Sequence, residues 1–176
     1  KRRHKVSAYC KFGPTPSLLA GDFLLARAFG LCGLLDAFVV RETEKACVRL
    51  SEGELIEGTL SETRRVSYEQ YLNIASKKTA ALFSLAATVG AYLAGAQEAD
   101  VECLRRFGEY AGIAFQMADD ILDVQADEDL LGKPSGTDLK QKTPSLINIL
   151  WLSRDPYKAE SFFAEKEPTK EQCGEV

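Results

Sequence analysis

The stretch Gly112–Asp138, GIAFQMADDILDVQADEDLLGKPSGTD, decides how the chain is read. Three carboxylates, Asp119, Asp120 and Asp123, interrupt an otherwise apolar run, and a segment broken by Gly132, Pro134 and Gly136 and carrying Lys133 follows at once. Ile113, Phe115, Met117, Ile121, Leu122 and Val124 surround the acids, which predicts a helix packed on most of its sides. Residues four apart share a helix face, so Asp119 and Asp123 point the same way, with Gln116 one turn earlier and Asp120 flanking the pair. Carboxylates crowded onto a mostly buried helix repel one another unless positive charge sits between them, and a divalent cation is the obvious neutraliser.

The donor set selects the cation. Oxygen ligands suit magnesium, calcium or manganese, and His4 is the chain's one histidine, so zinc or iron held by nitrogen is not expected. Carboxylates on one helical face cannot enclose an ion. Magnesium tolerates this, because it keeps several waters and completes its shell with phosphate oxygens. The lysine-bearing turn after the helix would hold the same phosphate. The bland alternative is a D-D-x-x-D cluster on the solvated edge of an amphipathic helix.

The residues around the acids are more specific than the acids. In order they read Gly112, Phe115, Gln116, Asp119, Asp120, Asp123, Gly132, Lys133, Gly136 and Asp138. This resembles the second aspartate-rich motif of the trans-type polyprenyl diphosphate synthases, Gly-x-x-Phe-Gln-x-x-Asp-Asp-x-x-Asp followed by Gly-Lys and Gly-x-Asp. Arg2, Arg3 and Gly13, then Leu19-Ala20-Gly21-Asp22-Phe23-Leu24, are similar to that family's Arg-Arg-Gly-x-Pro and Leu-x-Gly-Asp-x-Leu, although His4 and Val6 stand where the family has Gly and Pro. Glu52-Gly53-Glu54 matches a Glu-Gly-Glu segment, and Lys78-Thr79 matches a Lys-Thr pair. The family's first aspartate-rich motif has no counterpart. Residues 1–176 are therefore expected to form a single, incomplete domain that holds only part of a metal cluster.

The resemblance implies an all-α bundle of long helices around a central cavity, and a magnesium-dependent, head-to-tail condensation of isopentenyl diphosphate with an allylic diphosphate. It implies Asp119, Asp120 and Asp123 at the metal. Lys78, Lys133, Arg2 and one of Lys140 or Lys142 would bind the allylic diphosphate, with Arg3 on isopentenyl diphosphate and Thr79 and Gln116 lining the allylic end. Lys78, Lys133 and Asp119 would stabilise the charge that develops on the leaving pyrophosphate. A homodimer is a further implication. Two other readings stand beside this one: a non-catalytic or regulatory helical subunit of the same fold, and a terpene cyclase-like enzyme. The Lys133–Asp138 segment favours the chain-elongating type.

The rest of the chain sets bounds. At 176 residues it suits one domain, and a net charge of -4, with lysine and arginine outnumbered and dispersed, gives no reason to expect nucleic acid. Cys10, Cys32, Cys47, Cys103 and Cys173 form no C-x-x-C pair, which predicts reduced core thiols in a cytosolic protein. Lys1–Lys11 shows no signal-peptide pattern. Thr79–Gln97 carries no charge, but it is dominated by small residues that let helices approach closely, so a buried helix is expected there rather than a membrane span.

Helical periodicity runs from Ser17 to Val40, from Arg41 to Leu60 and from Asp100 to Ala126, with helix starts signalled at Pro14–Ser17 and by a Ser67–Gln70 capping box. Asp22 is expected to pack, and Glu167-Pro168-Thr169 to open a further helix. No segment alternates with period two, so six or more long helices are expected.

Overall fold

The structure, a computed structural model, describes residues 5–63, 66–125 and 136–164. Every element among them is helical: α1 Ala8–Phe12, α2 Pro14–Cys32, α3 Ala37–Thr63, α4 Tyr68–Ala75, a π-helical turn Ser76–Ala80, α5 Ala81–Leu93, α6 Glu98–Gln125, α7 Thr137–Gln141, α8 Leu146–Arg154 and α9 Pro156–Ala164. Only α2, α3 and α6 are long, at 19, 27 and 28 residues, which is fewer long helices among the described residues than the periodicity suggested. Glu167–Thr169 and Cys173 lie outside the described residues.

The apolar run expected as one helix from Ser17 to Val40 is broken. Gly33 N–H donates to Phe29 O at 3.0 Å as α2 ends, and Asp36 Oδ1 then accepts from the N–H groups of Phe38 at 2.8 Å and Val39 at 3.0 Å, which starts a new helix. Hydrophobicity could not reveal the break, because the turn residues Leu34 and Leu35 are themselves apolar. The start of α4 follows the sequence: Ser67 Oγ accepts from Gln70 N–H at 3.1 Å, and Gln70 Oε1 accepts from Ser67 N–H at 2.8 Å.

Two small cores form at one end of α6. Tyr71, Leu146 and Ile149 pack with Met117, and Leu139, Ala159, Phe162 and Phe163 pack with Val124 and Trp151. These fasten α7, α8 and α9 over the last turns of α6. Elsewhere the helices are brought together by glycines. A Cβ on Gly112 would lie 2.4 Å from Ala80 Cα, and one on Gly108 would lie 2.7 Å from Phe83 O, so α6 meets the π turn and α5 backbone to backbone.

Other expectations change. α2 buries none of its residues, and Asp22 is exposed rather than packed. Leu18, Phe23 and Leu24 are each more than 60% exposed, so α2 carries bare apolar side chains. Cys10 and Cys103 are exposed, while Cys32 and Cys47 are half-buried, so none of the four is a core thiol. α5 buries one stripe, Ala81, Ser84, Thr88 and Ala91, and leaves Leu82 and Leu93 exposed. Among the described residues no helix is long and apolar enough to cross a membrane.

Candidate active site

The π turn is the frame of the site. A turn of this kind takes in one more residue than an α turn and recurs at functional positions. Here it is clamped from both sides by helices that approach through glycine. A Cβ on Gly53 of α3 would lie 2.7 Å from Lys78 N, and Gly112 of α6 meets Ala80 on the other flank. Arg49 pins the same turn, donating to Ser76 Oγ at 2.8 Å and to Glu109 Oε1 at 2.9 Å, while Ser76 Oγ donates to that carboxylate at 2.7 Å. The Glu52-Gly53-Glu54 segment thereby gains a physical role. Its glycine admits the backbone of the π turn, Glu52 pairs with Lys77 at 2.5 Å, and Glu54 pairs with Lys78 at 3.4 Å.

Lys78 also donates to Glu57. Burial pulls the lysine's pKa down, but the Glu57 and Glu54 carboxylates outweigh it, and the net shift is upward. The ammonium therefore stays charged at neutral pH although half-buried. The next residue points into a chain of hydrogen bonds. Thr79 Oγ1 donates to Gln116 Oε1 at 2.6 Å, Gln116 Nε2 donates to Asp120 Oδ1 at 2.7 Å, and Tyr71 OH and Leu146 N–H donate to Asp120 Oδ2 at 2.9 and 2.8 Å. Burial, then the adjacent Asp120 charge, pushes the Tyr71 phenol far above its usual pKa, so it acts as a donor.

Lys78, Thr79, Gln116, Asp119, Asp120 and Glu57 line one cleft with Tyr71, Asp138 and the Thr143–Ser145 turn. The cleft encloses about 690 Å³, solvent at its mouth included. The three motif carboxylates have different environments within and behind it. Asp119 is exposed and lines the cleft. Asp120, expected beside the other two at the metal, is 3% exposed and already accepts three hydrogen bonds. Asp123 is 1% exposed, does not line the cleft, and accepts from Asp138 N–H at 3.0 Å.

The reason is the covering segment. The chain at 136–146 folds back over the end of α6, with Gly136 N–H donating to Asp123 O at 2.7 Å, and it presents backbone N–H groups to the two buried acids. The helical spacing of Asp119 and Asp123 is present, but what lies over each is different.

Among the described residues no three His, Cys, Asp or Glu side chains are grouped to hold a metal ion. The three carboxylates expected at the metal differ in their access to the cleft. Asp119 alone of the three combines exposure with a place on the cleft. One carboxylate is compatible with magnesium, which retains water and shares phosphate oxygens, and is not compatible with a cation that needs a full protein cage.

Of the expected lysines, Lys142 departs from the reading. Its ammonium donates to Phe163 O at 2.8 Å, and it lines a separate, mostly apolar cavity with Ile149, Leu152 and Phe163. Lys142 adopts a left-handed conformation, φ 57°, at the end of α7, and this turns it away from the carboxylate cleft. Lys140 is half-buried within α7. Arg2, Arg3 and Lys133 lie outside the described residues. Tyr71 was legible only as part of an apolar stripe. The signal that could have singled it out is a tyrosine where a phenylalanine would fill the same space, since a buried hydroxyl requires a partner.

The family model described as polyprenyl synthetase matches residues 1–175. A geranylgeranyl diphosphate synthase of Sulfolobus acidocaldarius is 36% identical over 167 residues, covering 89% of this chain and 51% of that protein. An octaprenyl diphosphate synthase of Escherichia coli is 37% identical over 146 residues, covering 82% of this chain and 45% of that one. A polyprenyl synthase of Caulobacter crescentus, solved in complex with calcium and isoprenyl diphosphate, superposes with a TM-score of 0.90 at 34% identity over 98% of this chain and 54% of its own. The chain thus spans about half the length of the curated relatives it matches. By the family model matched over residues 1–175 and a relative 36% identical, the chain belongs to the polyprenyl synthetase family.

Proposed function

We propose that the protein is a prenyltransferase of isoprenoid biosynthesis that joins isopentenyl diphosphate head to tail to an allylic diphosphate. The observation that carries this reading is a single cleft lined together by the exposed carboxylate of Asp119, the charged Lys78 and the hydrogen-bonded Thr79–Gln116 pair. Loss of pyrophosphate from an allylic diphosphate leaves a carbocation and a strongly anionic leaving group, so the site must hold positive charge at one end and exclude water at the other. Lys78 binds the diphosphate, joined by Lys133, Arg2 and Lys140, and Arg3 holds isopentenyl diphosphate. Asp119 would hold magnesium, which when bound would supply Lewis-acid stabilisation of the diphosphate charge. Glu57 and Glu54 keep the Lys78 ammonium charged and aimed. Thr79 and Gln116 set oxygen atoms at the allylic carbon, and pyrophosphate takes the final proton.

The metal is supported by the oxygen-only donor set and by the calcium and isoprenyl diphosphate bound to the Caulobacter relative. The enzyme is a cytosolic homodimer in this reading, with the bare apolar face of α2 covered in the assembly. Residues 1–176 act as part of one domain. The test is to incubate the full-length protein with magnesium, isopentenyl diphosphate and allylic diphosphates of several lengths. Chain-extended allylic products with released pyrophosphate are expected. Cyclised hydrocarbons, or no pyrophosphate release from any starter, would refute the proposal.

A further inference from the structure

The hydrogen-bond chain in the cleft has a direction, and that direction is imposed from its buried end. Asp120 accepts from Gln116 Nε2, Tyr71 OH and Leu146 N–H and donates to none of them. A carboxylate offers acceptors only, so the end of the Gln116 amide that faces it has to be the NH2 group. The opposite end of that amide, Oε1, then faces Thr79 and can only accept. Thr79 has one proton, and it is committed to Gln116 at 2.6 Å. What the threonine hydroxyl has left for the cleft is lone pairs.

We propose that Asp120, held from behind by Tyr71 and the Leu146 N–H, is a positioning residue that locks the Gln116 amide in one orientation and so makes Thr79 present a proton-free oxygen to the substrate. Asp120 is then not a metal ligand, and the motif's metal chemistry falls to Asp119. This rests on the reading of the cleft as an allylic diphosphate site. Within that reading it assigns polarity: lone pairs repel phosphate oxygens, so the diphosphate lies toward Lys78 and the reacting carbon toward Thr79.

The test is a cycle in the full-length protein. Asp120→Asn should let the Gln116 amide turn over, so that Nε2 donates to Thr79 and the threonine proton is released into the cleft. Turnover should fall sharply while binding of Mn2+ in the presence of pyrophosphate, followed by electron paramagnetic resonance, stays near the parent value. Gln116→Glu should set two carboxylates against each other and lower the melting temperature by several degrees.

The double variant D120N/Q116E rebuilds every bond in its original direction. The side-chain amide introduced at position 120 would donate to the carboxylate introduced at position 116 and accept from Tyr71 and Leu146, and Thr79 would donate as before. The double variant should regain most of the melting temperature lost by Q116E and most of the turnover lost by D120N. Two results would overturn the proposal. One is a double variant no more stable than Q116E. The other is Mn2+ binding weakened by about tenfold or more in both D120N and the double variant, as expected of a lost ligand rather than a lost orientation. If the parent condenses no allylic diphosphate, the functional reading fails, while the melting-temperature and Mn2+ comparisons still judge the role of Asp120.

Discussion

Gly112→Ala tests the claim that the site depends on backbone contact between α6 and the π turn. The added methyl would sit 2.4 Å from Ala80 Cα and 2.8 Å from Ala80 Cβ. Apolar carbons prefer about 3.5–4.0 Å, so the two segments must part by about 1 Å, and neither is a side chain that can rotate away. Overpacking of this kind costs roughly 1–3 kcal/mol or more. Alanine's better helix propensity returns about 1 kcal/mol, which offsets part of the cost without reversing it. The same separation would stretch the 2.6 Å Thr79–Gln116 bond to beyond about 3.5 Å, outside hydrogen-bonding range. The expected result is a lower urea midpoint with unchanged m-value by circular dichroism, together with reduced turnover. Gly58→Ala on α3 is the control, because nothing lies within 4 Å of the added methyl and propensity alone should raise the midpoint. An unchanged or raised midpoint for Gly112→Ala would refute the packing argument.

Asp119→Ala is expected to reduce turnover by several orders of magnitude with helical content unchanged, and turnover within about tenfold of the parent would remove its metal role. Arg105→Ala should destabilise by roughly 1–3 kcal/mol at neutral pH, because it strips a 2.7 Å partner from Glu42, which is 6% exposed. Burial pushes the Glu42 carboxyl up, but hydrogen bonds from Lys45 and Arg105 bring it below the ordinary value of 4.5. A depressed carboxylate stabilises the fold above its unfolded pKa and ceases to do so as pH falls through its folded one, so the gap between parent and variant should narrow below about pH 4.5. A gap that widens in acid would contradict the assignment. Ser67→Ala removes the α4 capping box and should cost about 1 kcal/mol in urea denaturation, and a neutral result would show that packing alone holds the start of α4.

The primary structure alone determined the helical class, the α4 cap and the extent of the aspartate helix, and the resemblance of its motifs to the family implied that Lys78, Thr79, Gln116 and Asp119 share one site. Each of these follows from periodicity, from a cap that needs residues three apart, or from an ordered motif. It could not determine which aspartate is exposed on the cleft. Asp119, Asp120 and Asp123 share one residue type on one helix, and only the return of the 136–146 segment buries two of them under backbone N–H groups while leaving the third in the cleft. Lys140 and Lys142 were likewise equivalent until the left-handed turn at Lys142 sent one of them to Phe163. The helix break at Gly33–Asp36 was masked by the apolar residues within and on both sides of it, and Gly53 and Gly112 gave no local sign of their closeness to the π turn. These features were decided in three dimensions, because hydrogen-bond partners and backbone clearances belong to segments distant in the chain, and a periodicity read along one segment carries no record of what another lays across it.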